Sequence, residues 1–208
     1  MNKKSVEKVF RAIFIFVFFI GTIWVPHKSA MAQAPCPSSM VSYWTFDDNT
    51  GQTANDEIDG NPLTLGTSSE ADSQDPDWVT GDITGALMFD GADDLARGGS
   101  LPQMPEGTIE AWVNRTSYGN YPNPVIISMF IPGTYVSAIT LMHTYENLWG
   151  TKTFQFIKTD SSNTQIRLVT PENAWDYNNS YHIVATWGAS GMKLYINGVL
   201  SDSKNLLW

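Results

Sequence analysis

Residues 193–199, Lys-Leu-Tyr-Ile-Asn-Gly-Val, decide the fold. A two-residue type I′ turn needs positive φ at both central positions, and Asn-Gly meets that need at the least steric cost. Asn197-Gly198 therefore predicts a hairpin between strands at 192–197 and 199–203. Just upstream, Trp187-Gly188-Ala189-Ser190-Gly191 reads as a second, looser connection. Period-2 alternation marks the strands that feed it. Ile183, Ala185 and Trp187 share one face of a strand. Ile109, Ala111 and Val113 share another, with Thr108, Glu110 and Trp112 turned away. Short runs of the same kind predict strands near 41–46, 85–90, 108–114, 124–131, 136–143, 152–158 and 164–169. After residue 32 no stretch keeps a 3.6-residue apolar period over three turns. Many short strands without a long helix give an all-β, two-sheet antiparallel sandwich.

The N-terminal segment belongs to a different problem. Lys3, Lys4, Lys8 and Arg11 precede an uncharged run of 14 residues, Ala12 to Val25, and Ala30-Met31-Ala32 follows. Basic start, apolar centre and small residues at the cleavage positions form a secretory signal over 1–32. A membrane anchor is the competing reading, but a span needs roughly 20 apolar residues. Cleavage after Ala32 removes five basic residues and one acidic residue, leaving seven basic and 20 acidic residues and a formal charge of −13. Such a chain is expected outside the cytoplasm, without a permanent membrane span. It lacks the clustered Lys and Arg of a nucleic-acid surface. The single cysteine, Cys36, cannot form an internal disulfide. A lipid-modified Cys36 is disfavoured by Pro35, which stands where a small residue is required. Residues 33–40 read as a flexible leader and 41–208 as one domain. Aromatics at 12%, with eight Trp, give that domain a core to bury and exclude disorder for most of its length. Residues 66–77 are polar and aperiodic, as in an exposed loop.

The order of motifs carries a resemblance. Tyr43, Trp44, Phe46 and Asp47 come first, then Asp56, Gly60 and Asn61. Gly85-Ala86-Leu87-Met88-Phe89-Asp90-Gly91 follows, trailed by Asp93-Asp94. The 108–113 strand, the stretch His182 to Trp187 and the 194–198 hairpin complete the set. Together they resemble the laminin-G-like branch of the concanavalin A-like lectin/glucanase domains. The resemblance implies a jelly-roll sandwich and a recognition module rather than a catalyst. It departs at Ser180, where a Trp usually stands. It also implies further strands after the hairpin, which nothing past Asp202 supplies, so a sandwich lacking its last strands is expected.

Glycoside hydrolysis needs two carboxylates across the scissile bond. Glu57-Ile58-Asp59 begins the acidic pattern of sandwich glucanases, but Asn61 and Pro62 interrupt it and Gly60-Asn61-Pro62 is turn chemistry. No catalytic residue is therefore assigned. His143 and His182 lie in predicted strands without partners at zinc-ligand spacing. A structural Ca²⁺ is the candidate cofactor, because it takes six to eight oxygens and the acidic loops are rich in them. Asp56, Asn61 and Asp90 are the chosen ligands; the alternative is that they only make turns. A glycan is the first candidate partner, an extracellular or cell-surface protein the second. Tyr118, Tyr121, Trp149, Trp175 and Tyr177 combine aromatic faces with neighbouring Asn and Asp in loops, as sugar sites require. Loop aromatics that cap the sandwich ends are the alternative reading of the same residues.

Overall fold

The computed structural model describes residues 37–58, 60–98, 101, 104–116, 124–130, 137–144, 151–159 and 163–205. Among them every regular element is a strand. In chain order these are β1 (Thr53–Ala54), β2 (Leu63–Leu65), β3 (Asp77–Thr80), β4 (Gly85–Met88), β5 (Ala96–Arg97), β6 (Gly107–Asn114), β7 (Val125–Phe130), β8 (Ser137–His143), β9 (Phe154–Thr159), β10 (Gln165–Val169), β11 (Ser180–Gly188), β12 (Gly191–Ile196) and β13 (Val199–Lys204).

Two four-stranded sheets, ordered β13-β12-β11-β6 and β10-β9-β8-β7, carry the architecture; β1-β2-β5 and β3-β4 form smaller ones. Their pairings are antiparallel. The core lies between the two larger sheets. Leu141, Phe154 and Phe156 meet Ile183, Trp187 and Leu194 in one buried cluster. Phe156 sits 6.1 Å from Trp187 and Phe154 5.5 Å from Tyr181, ring centre to ring centre. This is the expected all-β sandwich of the jelly-roll class. The alternation that predicted it is visible in the burial. Ile109, Ala111 and Val113 of β6 turn inward, while Thr108, Glu110 and Trp112 face solvent.

The hairpin forms as expected. Asn197 and Gly198 have φ of +50° and +78°, and Ile196 pairs with Val199. Asn197 also accepts from the His182 amide through its side chain, at 2.9 Å. The connection at 188–191 is tighter than expected. Gly188 pairs with Gly191, leaving a two-residue turn at Ala189-Ser190. Gly191 makes this possible at φ +103°, with the Lys204 carbonyl packed where a Cβ would go.

Residues 41–46 correct the sequence reading: they form no strand. The Tyr43 amide donates to the Asp56 carboxylate at 2.7 Å instead of to a neighbouring strand, and Phe46 adopts φ +59°, which ends an extended run. The Trp44 indole donates to the Asn61 carbonyl at 2.9 Å. The segment is thus tied to the loop after it. Strands β1, β2, β3 and β5 were not foreseen, because two to four residues are too few to show alternation. Residues 66–76 are irregular as expected, stapled by Asp72, which accepts from the Thr67 and Gln74 amides.

His143, at the end of β8, is 6% exposed and packs against Phe154 and Trp175. Burial, then the Arg115 charge, push its pKa from 6.5 to about 3, so it stays neutral in the core. The interlayer contacts carry most of the stability. Phe156→Ala is expected to lose about 3–5 kcal/mol in urea unfolding. Leu200→Ala, at a side chain that is 50% exposed, should lose less than about 0.5 kcal/mol.

Candidate functional site

The expected cation ligands separate into two sets. Asp56 Oδ1 accepts from the Tyr43 and Ile58 amides, and Oδ2 from the Asn61 amide at 3.1 Å. Partial burial opposes ionisation, but these amides and the Ser42 hydroxyl outweigh it and hold the carboxyl at about 2, against an ordinary 3.8. Asp56 thus staples the loop, and the Asn61 side chain donates to Ser42 Oγ at 3.2 Å.

Asp90 belongs to a different group. It lies with Asp93 and Asp94, their carboxylate oxygens within 4.8 Å of one another. The loop that gathers them is held by the Asp90 amide on Asp94 Oδ2 and the Ala92 amide on Asp90 Oδ1, each at 2.7 Å. Burial and then the like charges of Asp90, Asp93 and Asp77 raise the Asp94 carboxyl above its ordinary value. Three carboxylates offer up to six oxygens, so this set is able to hold a metal ion. The signal in the sequence was the run Asp90 to Asp94 itself.

The expected sugar-binding aromatics also divide. Tyr118, Tyr121 and Trp149 lie outside the described residues. Trp175 is 1% exposed and belongs to the core, with its indole donating to the Thr153 carbonyl at 3.2 Å. It offers no face to a ligand; it caps the end of the sandwich. Tyr177 is half-buried beside it, the two rings 5.3 Å apart at 90°. Glu57 is exposed in a bend, away from any strand, and Asp59 lies outside the described residues.

The surface that the sequence reading missed is the outward face of the β13-β12-β11-β6 sheet. Strand register sets its side chains in cross-strand rows. Trp112 stands beside His182. Glu110, Val184, Tyr195 and Leu200 make the next row, and Thr108, Thr186, Lys193 and Ser203 the one after. The Trp112 ring is 60% exposed and stacks on the His182 imidazole at 4.9 Å and 22°. Glu110 approaches His182 Nε2 at 3.6 Å, so the indole is backed by a ring that is itself anchored. The polar row opens into a depression of about 560 Å³, lined by Glu106, Thr108, Thr186, Lys193, Tyr195 and the 188–191 turn. The face thus offers an aromatic plate, hydroxyls, a carboxylate and an ammonium side by side. The signal was the outward set of an alternating strand, Thr108, Glu110 and Trp112.

Two antiparallel sheets over an aromatic core define a β-sandwich domain. A family model described as the concanavalin A-like lectin/glucanases superfamily matches residues 90–208, more than half of the 208-residue chain, and the chain belongs to that superfamily. No curated protein and no solved structure matches the chain. Among the described residues no helix is long and apolar enough to cross a membrane.

The Asp56 staple has a pH signature. An unfolded Asp takes up its proton near 3.8 and the folded one near 2, so the stabilisation is complete above 3.8 and is lost as pH falls between these values. Asp56→Ala should cost about 1–2 kcal/mol at pH 7. In thermal melts at descending pH the difference from wild type should shrink across that window.

Proposed function

We propose that this protein is a secreted, non-catalytic recognition module that binds a glycan on the outward face of the β13-β12-β11-β6 sheet. The observation that carries the reading is Trp112: a large aromatic ring, 60% exposed, on the face of a rigid strand and held flat by His182. An indole face suits the apolar side of a pyranose, and the Thr, Lys, Tyr and Glu side chains in the adjoining rows suit its hydroxyls. Export is supported by the basic start, the apolar run and Ala30-Met31-Ala32.

The lining of the depression supports a non-catalytic role. Among the described residues that line the depression, Glu106 is the one carboxylate, where glycoside hydrolysis needs two.

Leu200, 50% exposed in the row of Tyr195, favours a second reading. Together with Trp112 it adds apolar area to the same face, as a protein-binding or adhesive surface would. Titration calorimetry with a panel of neutral oligosaccharides separates the two. A binding sugar should lose at least about tenfold in affinity, ~1.4 kcal/mol, in Trp112→Ala. If no sugar binds, or Trp112→Ala binds as wild type does, the glycan reading fails.

A structural Ca²⁺ held by Asp90, Asp93 and Asp94 is part of the proposal. Bound only by the folded state, it would stabilise by about 2.7 kcal/mol at ~100 times Kd. The melting temperature should therefore rise with Ca²⁺ over chelator, and the rise should vanish in Asp93→Asn. Identical melting curves with and without Ca²⁺ would reject the site.

A further inference from the structure

The depression on the outward sheet face has a floor of bare backbone. By the strand period of two, Gly188 follows Thr186 on β11 at an outward position, and Gly191 precedes Lys193 on β12 in the same way. The two glycines pair with each other, so no side chain fills the space between their strands. A Cβ on Gly188 would stand 3.0 Å from that of Glu106, which packs against the bare strand there.

Two charged side chains flank this floor. Sheet order places β12 and β6 on opposite sides of β11, two strand spacings apart, about 10 Å. Lys193 stands on β12, and Glu106 immediately precedes β6. Both are exposed, and among the described residues no ion pair joins either to the other or to a third group. The other acid of the face, Glu110, is turned to His182 at 3.6 Å. Thr108 and Thr186 line the space between, and Tyr195 borders it on the side of Trp112. A ligand that satisfies both walls brings an anion to Lys193 and hydrogen-bond donors to Glu106.

We propose that the depression selects an acidic sugar, with Lys193 holding the carboxylate of a hexuronate unit and Glu106 accepting from the hydroxyls on the opposite edge of the ring. A hexuronate carries these groups at the two ends of one pyranose, which is the pattern the walls require. The inference rests on the outward face being the glycan site, with further sugar units running over Tyr195 to Trp112. The acidic excess of the chain does not oppose it. Exposed charges farther away than about 8 Å are largely screened at physiological ionic strength, so the groups in contact decide. There the ammonium makes a charge-assisted hydrogen bond, roughly twice as strong as a neutral one.

Calorimetry of the full chain tests this with trisaccharides of galacturonate, glucuronate and mannuronate. Each is compared with its methyl ester, which keeps the sugar and removes the charge. At least one uronate should bind about tenfold or more tighter than its ester. Lys193→Met should remove that preference, and Lys193→Arg, which keeps the charge, should retain it. Trp112→Ala should weaken acid and ester alike. Sugar binding that depends on Trp112 but favours no uronate overturns this inference and leaves the glycan reading standing. Binding of no sugar at all overturns both. A preference that survives in Lys193→Met puts the carboxylate elsewhere and overturns the assignment.

Discussion

The contact of Phe156 with Trp187, ring centres 6.1 Å apart, holds the two four-stranded sheets face to face, and the other features of the domain follow from it. Trp187 is 4% exposed, and its indole nitrogen reaches the Met104 carbonyl at 3.1 Å. The ring lies so close to Gly107 that a Cβ there would stand 2.6 Å from Cζ2. The first residue of β6 is therefore required to be glycine. A side chain there would push the strand off the ring and with it the register that fixes every outward residue. A β-strand has a period of two, so a slip of one position would exchange the buried and solvent faces.

That constraint connects core to surface. Burying Ile109, Ala111 and Val113 of β6, and Ile183, Ala185 and Trp187 of β11, leaves the intervening residues no choice of side. Trp112 and His182 become neighbours because Ala111 pairs with Ile183 beneath them. An exposed Trp costs solubility, and keeping one in a stacked, oriented state gives a flat platform with little conformational freedom left to lose on binding. The same packing explains why Trp175, in a loop by sequence, is a core residue. Phe154 and His143 enclose it from β9 and β8.

The sandwich was legible in the sequence because its long strands alternate and because Asn197-Gly198 admits one kind of turn. The short strands were not, since two residues such as Thr53–Ala54 carry no period. The 41–46 segment misled for a physical reason. Tyr43, Trp44 and Phe46 have strand-forming side chains, yet the Asp56 carboxylate takes the Tyr43 amide and replaces a strand partner. Composition alone did not separate Asp56 from Asp90. Both accept backbone amides, but Asp90 has the Asp93 and Asp94 carboxylates beside it. Aromatic residues misled similarly. Loop position suggested exposure for Trp175, while the exposed ring, Trp112, stood in a strand.

The central claim is that ligand recognition belongs to the outward sheet face. Amide and indole NMR of the ¹⁵N-labelled protein, titrated with a binding oligosaccharide, tests it most directly. The account predicts that the Trp112 indole resonance shifts most, with His182, Tyr195, Lys193 and Thr186 moving with it and the buried Trp175 and Trp187 indoles still. Shifts confined to the 90–94 loop, or spread over the molecule while Trp112 stays unmoved, would contradict it.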